Sequence, residues 1–161
     1  MLKIMFVCHG NICRSPMAEM ILKEMLRKEE LSDKVEVKSS ATSTEEIGND
    51  IYPDAKKILE LNNIPYNLHS ATQITIDDYK ENKFIICMDD TNVRNLLKII
   101  GSDNEDKVYK LLDFTRDSKD SRNISDPWYT RNFKKAYDEI VEGCMKLVEI
   151  IKDELEILDE E

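Results

Sequence analysis

Leu2-Lys3-Ile4-Met5-Phe6-Val7-Cys8-His9-Gly10-Asn11-Ile12-Cys13-Arg14-Ser15-Pro16 is the stretch whose reading decides the fold. Leu2 to Val7 is too apolar for a half-exposed strand and reads as a central, buried one. A helical pattern leads out of the loop: Met17, Met20, Ile21 and Met25 recur at helical spacing with charges between them. That methionine stripe reads as core packing. A strand, a tight loop carrying Cys8 and Arg14, and a helix N-terminus together make the layout of a phosphate-binding nucleophile site.

The chemistry follows from the residue types. A thiol at a helix N-terminus sees the positive end of the macrodipole, and a neighbouring guanidinium adds to that field. Loop N–H groups turned inward form an anion nest. Gly10 and Asn11 are residue types that accept the positive φ such a nest needs. Arg14 can hold two phosphate oxygens in one planar fork. Ser15 can hydrogen-bond the sulfur, and Pro16 suits a first helical turn, where its missing N–H costs nothing.

The string Cys8-His9-Gly10-Asn11-Ile12-Cys13-Arg14-Ser15-Pro16 is far more specific than a bare Cys-x5-Arg, and it resembles the low-molecular-weight protein tyrosine phosphatase family. The resemblance is carried further by Asp126-Pro127-Trp128-Tyr129, where the family has Asp-Pro-aromatic-aromatic. It implies a doubly wound α/β fold of flavodoxin-like type, with a four-stranded parallel sheet and helices on both faces. It implies one phosphatase domain over residues 1–161. It also implies that Cys8 attacks phosphorus and forms a phosphocysteine, that Arg14 holds the phosphate, and that Asp126 is the general acid and then the base. The first step needs Asp126 protonated, so activity is expected on the mildly acidic side.

The remaining site residues are assigned on the same basis. His9, Gly10, Asn11, Ile12, Cys13 and Ser15 are expected to contact phosphate as the rest of the loop. Trp128 and Tyr129 are expected to wall a slot for an aromatic leaving group. Glu45 stands where family members often carry an aromatic at the pocket mouth, and with Glu46 it would repel acidic substrate flanks. His69 is expected to support the phosphate loop, with a general-base role as the alternative. Asp89 reads equally as a support of the site and as a plain helix cap. No metal or other cofactor is implied. Relatives with a paired cysteine on this loop suggest a reversible Cys8–Cys13 disulfide that shields the nucleophile.

The rest of the chain fits this frame. Val35 to Lys38 alternates as a second strand, and its distance from the first suits a parallel βαβ crossover. Ser39 to Asp50 reads as a loop at the carboxyl edge of the sheet, where such folds bind ligands. Pro53 opens a helix that ends around Asn62-Asn63, Phe84 to Met88 is a buried strand, and Cys87 in it reads as inert core. Val93, Leu96, Leu97 and Ile100 line one face of a helix capped by Asp89 to Asn92. Lys107 to Leu112 is the fourth strand, and Asp113 to Ser125 reads as irregular. A last helix from near Thr130 carries the stripe Phe133, Tyr137, Ile140, Cys144, Leu147 and Ile151. The stripe is near a heptad repeat, but packing on the sheet is preferred to a coiled-coil partner. Asp153 to Glu161 is expected to fray.

Composition sets outer bounds. A chain of 161 residues with net charge −10 is long enough for a real core and ill suited to nucleic acid or an anionic membrane. The four cysteines do not form a small-domain disulfide framework, and no leader or membrane-spanning pattern is seen, so the cytoplasm is the expected setting. The partner expected is a phosphotyrosine-containing protein or peptide, and the assembly a monomer or weak homodimer.

Three enzyme families and one binding role compete. Protein arginine phosphatases resemble this family closely but often carry Thr in place of Ile12, and an apolar residue there favours an aromatic ester. Thioredoxin-coupled arsenate reductases relay through two further cysteines close in sequence, and Cys87 has no such neighbour. Phosphotransferase-system IIB proteins lack the Arg found at position 14. A non-catalytic phosphoprotein-binding module is the different-class alternative.

Overall fold

The computed structural model describes residues 1–115 and 122–160. Four strands, β1 (Leu2–Cys8), β2 (Val35–Ala41), β3 (Phe84–Cys87) and β4 (Val108–Lys110), form one sheet in the order β2-β1-β3-β4. Every pairing is parallel. The helices are α1 (Arg14–Lys28), α2 (Pro53–Leu61), α3 (Ile76–Glu81), α4 (Asp90–Ile100), α5 (Pro127–Thr130) and α6 (Phe133–Glu160).

The period-2 geometry of β1 divides its side chains between two cores. Leu2, Ile4, Phe6 and Cys8 face α1, α2 and α6 on one side. Met5 and Val7 face Tyr79 of α3 and Leu96 of α4 on the other. This is the doubly wound α/β arrangement that the sequence implies. β1 pairs on both edges, so its carboxyl end opens at the centre of the sheet, where ligands bind in such folds.

Several boundaries differ from the sequence reading. α1 begins at Arg14, not Met17, and Pro16 lies within its first turn. β2 continues through Ser39, Ser40 and Ala41, read as loop, because these residues pair with Phe6, Val7 and Cys8. α3 has no counterpart in the sequence reading. A capping box starts it, with the Thr75 side chain accepting from Asp78 N and the Asp78 side chain accepting from Thr75 N. β4 stops at Lys110, and Leu111–Thr115 turns into a 3-10 helix instead of extending the strand. The irregular reading of Asp113 to Ser125 is therefore wrong for 113–115, and its part at 116–121 lies outside the described residues.

The last helix begins at Phe133, not near Thr130, and a separate short helix, α5, precedes it over the Asp-Pro-aromatic motif. α5 ends at Arg131, whose φ of 59° breaks the path before α6. α6 runs to Glu160, through the residues from Asp153 expected to fray; Glu161 lies outside the described residues. Leu155 packs on the core, and Lys83 reaches Glu154 at 4.0 Å, which holds the acidic turns in register. The apolar stripe of α6 is covered within the chain by α1, α2 and the 3-10 helix. Among the described residues no helix is long and apolar enough to cross a membrane.

Gly143 lets α6 approach the 3-10 helix. A Cβ there would lie 2.5 Å from Leu111 Cγ, inside a fully buried contact. Gly143→Ala should therefore destabilise the fold by about 1–3 kcal/mol, the usual cost of overpacking. Thermal unfolding should show a Tm lowered by roughly 2–10 °C.

Candidate active site

The loop from His9 to Cys13 joins the end of β1 to the start of α1, and buried polar groups hold its shape from behind. Asn11 adopts φ 60°, the left-handed conformation that its short side chain tolerates. Gly10 does not take positive φ, contrary to expectation. A Cβ there would make only ordinary contact with the Glu46 side chain, 3.4 Å from Cγ, so neither φ nor space demands glycine at this position. The turned Asn11 N–H donates to Cys8 Sγ at 3.3 Å.

The Asn11 side chain is fully buried and makes three hydrogen bonds. Its Nδ2 donates to Ser15 Oγ at 2.8 Å and to Ser39 Oγ at 3.0 Å, and its Oδ1 accepts from Thr72 N at 3.2 Å. Ser39 in turn donates to Glu19 of α1 at 2.6 Å. His69 Nε2 donates to the Asn11 carbonyl at 2.6 Å; since a carbonyl only accepts, this fixes the proton on Nε2. The His69 ring therefore supports the loop from outside the cavity and is not free to act as a base through that nitrogen.

Ser15 Oγ lies 3.0 Å from Cys8 Sγ. The hydroxyl accepts from Asn11, which leaves its own proton for the sulfur or for the Ser40 carbonyl at 3.5 Å. The shorter contact is the one to sulfur. Cys8 Sγ thus receives a backbone N–H and a hydroxyl, the donor set that a negative sulfur needs. At the neighbouring Cys13 thiol, burial, and secondarily the Cys8 and Asp126 charges, push the pKa up to about 12. Burial likewise raises the Cys87 and Cys144 thiols and leaves them as core. All four cysteines are free.

Arg14 is 3 % exposed and must be paired. Its Nη1 donates to Asp89 Oδ2 at 2.8 Å and to the Ile124 carbonyl at 2.9 Å. Its Nη2 reaches Asp126 Oδ2 at 3.4 Å. Burial works against its charge, but Cys8, Asp89 and Asp126 together outweigh burial and raise its pKa. Asp89 also caps α4 by accepting from Asn92 N at 2.8 Å, so the two readings of Asp89 describe one residue doing both. The Nη2 edge, held only by the long Asp126 contact, is the side that can take a two-oxygen fork.

These groups open into one cavity of about 640 Å³. Cys8, His9, Gly10, Ile12, Cys13 and Arg14 form its floor, with Asp89 and Asp126 beside them. Trp128 and Tyr129 stand at its mouth, half exposed and largely exposed. Tyr52 meets the Trp128 ring edge-on at 5.3 Å and donates stability to the wall by stacking on Phe133. Arg131 lies over the Tyr52, Trp128 and Phe133 rings and hydrogen-bonds the Tyr52 hydroxyl. Glu45 and Glu46 form the opposite lip, and Glu45 pairs with His9 at 3.0 Å.

Asn11, Ser15 and His69 do not line the cavity and act behind it. Thr91 and Asn95 do line it, and the sequence reading missed them. Asn92 lines it as well; Thr91 and Asn95, four residues apart, share one face of α4, which was the available signal. Tyr52, Arg131 and the Ile124 carbonyl were missed for want of any local signal.

Comparison with known proteins agrees with this geometry. The model of the low molecular weight phosphotyrosine protein phosphatase family matches residues 3–157. The low molecular weight protein-tyrosine-phosphatase YfkJ of Bacillus subtilis is 34% identical over 157 residues, 98% of this chain and 100% of its own. The crystal structure of YfkJ superimposes with a TM-score of 0.90 over 96% of each chain. PtpA of Staphylococcus aureus, another low molecular weight protein-tyrosine-phosphatase, is 36% identical over 155 residues, 95% of this chain and 96% of its own. A Drosophila arginine phosphatase is similar at 28% identity and TM-score 0.84, covering 94% of this chain and 98% of that one.

Asn11→Ala removes the buried hub and leaves a left-handed residue without its compensating bonds. The expected loss is about 2–4 kcal/mol, from buried partners left unsatisfied. Thermal unfolding should show it, and calorimetry should show weaker binding of inorganic phosphate.

Proposed function

The chain belongs to the low molecular weight phosphotyrosine protein phosphatase family, and from that premise we propose that it hydrolyses phosphotyrosine in proteins or peptides through a phosphocysteine on Cys8. The observation that carries the reading is the opening of Cys8, Arg14 and Asp126 into one cavity, with Asp126 in contact with Arg14.

Cys8 sulfur attacks phosphorus and the bond to the leaving oxygen breaks. The Arg14 fork and the loop N–H groups hold the equatorial oxygens. Asp126 gives its proton to the leaving oxygen. A water molecule then attacks phosphorus, its proton passes to the Asp126 carboxylate, and the P–S bond breaks to return the thiolate. Trp128 and Tyr129 flank an aromatic ring in the mouth, and Ile12 presents an apolar surface to it. The four free cysteines fit a reducing cytoplasm.

A second reading, an arginine phosphatase, is supported by the likeness to the Drosophila arginine phosphatase. Ile12 and the aromatic wall favour the tyrosine ester over it. Phosphate release from matched phosphotyrosine and phosphoarginine peptides separates the two, with Cys8→Ser as control. Faster tyrosine turnover that vanishes in the control is expected; faster arginine turnover would reverse the substrate assignment, and turnover surviving Cys8→Ser would remove Cys8 as nucleophile. Asp126→Asn should lose about 10²–10⁴-fold in kcat/KM on phenyl phosphate, the usual contribution of a positioned acid.

A further inference from the structure

The segment that delivers Asp126 is tied down at each of the three residues before it. Asn123 Oδ1 accepts from Lys110 Nζ at 2.8 Å and from Asp90 N at 3.2 Å. Ile124 donates its N–H to the Met88 carbonyl at 2.9 Å, and its own carbonyl accepts from Arg14. Ser125 donates from both N and Oγ to Glu139 Oε1 of α6, at 2.9 and 2.7 Å. Asp126 itself caps α5 through Trp128 N.

Lys110 is the unusual member of this set. It is the last residue of β4 and only 4 % exposed, so its ammonium has left water at a cost that only close partners offset. Those partners are Asp90 at 2.9 Å and Asn123 at 2.8 Å. Asp90 is held below the usual carboxylate range, first by that Lys110 bond. Asp90 opens α4 beside Asp89, the residue that pairs with Arg14. Lys110 thus joins the carboxyl ends of β3 and β4 to the segment carrying Asp126, without touching the cavity.

We infer that Lys110, with Glu139 as its counterpart on α6, is a positioning residue for the Asp126 carboxyl in proton transfer to the leaving group. This rests on the reading of Asp126 as the acid. A proton donor displaced by about 1 Å loses on the order of 10²-fold, whereas phosphate capture by Cys8 and Arg14 is sustained by the Asp89 bond that holds Arg14 from α4.

The test uses kcat/KM, which reports the steps through cleavage of the leaving group. It compares p-nitrophenyl phosphate, whose leaving group needs little proton assistance, with phenyl phosphate, which needs much. Lys110→Met should lower kcat/KM on phenyl phosphate by about 10- to 100-fold and on p-nitrophenyl phosphate by less than about threefold. The inhibition constant of inorganic phosphate should hold, and Lys110→Arg should restore most of the loss. Equal losses on both esters, or none on either, would overturn the proposal. If Lys110→Met does not fold, Glu139→Leu, which removes the acceptor of both Ser125 donors, carries the same expectation of a selective loss on phenyl phosphate, and equal effects there overturn it equally. Asp126→Asn is the separate control: if it shows no leaving-group selectivity, the reading of Asp126 has failed instead.

Discussion

The buried charge of Arg14 is the constraint on which the rest of the site depends. A guanidinium taken out of water at the carboxyl end of a sheet must be met by acids and carbonyls at fixed positions. Asp89 meets it from the start of α4, Ile124 from the segment before α5, and Asp126 from the cap of α5. The start of α1, the start of α4 and the segment 124–126, far apart in sequence, are thereby drawn to one point. The same contacts that neutralise Arg14 set the wall of the cavity, so stability and geometry are fixed by one set of bonds.

Behind the loop a second set works by a different rule. A turn that aims N–H groups inward leaves its own carbonyls and side chains facing the protein, where each needs a partner. Asn11 answers this with one side chain bonded in three directions, and His69 takes the Asn11 carbonyl. The polar end of β2 exists for this purpose. Ser39 and Ser40 are buried at its end: Ser39 Oγ bonds Asn11 and Glu19, and the Ser40 carbonyl lies 3.5 Å from Ser15 Oγ while its own hydroxyl turns to Met5 Sδ.

This also explains what the sequence could and could not disclose. β1, the Cys8–Pro16 loop and α1 are contiguous, and their pattern and residue types are local signals, so they were legible. The apolar periodicity of α4 and α6 was equally plain. Ser39–Ala41 looked like loop because the signal for a strand is apolar alternation, and here long-range polar bonding overrides it. α3 is six residues with one buried side chain, Tyr79, too short for periodicity to register, although Thr75 and Asp78 did spell its cap. The break at Arg131 and the turn at Leu111 depend on contacts with Tyr52 and Gly143, distant in sequence, and no window along the chain contains them. Asp126 was found by motif, but the residues that hold its segment, Lys110, Glu139 and Met88, announce nothing locally.

A chain of net charge −10 must still bind a phosphate dianion, and burial decides how. Glu45 and Glu46 lie at the lip, and Glu45 is well exposed and paired with His9, so water and salt screen it within roughly a Debye length of 8–10 Å. Arg14 and the loop N–H groups lie where water is largely excluded, and a contact at about 4 Å is worth roughly four times more at an effective dielectric near 20 than in bulk water. The unfavourable global field is therefore felt on approach and the favourable local field on arrival. Asp126 sits between the two regimes, close enough to Arg14 to be drawn to it and exposed enough to meet water. In the proposed mechanism Asp126 first gives and later takes a proton, a role that suits this intermediate place, and a segment held at three successive residues keeps it there.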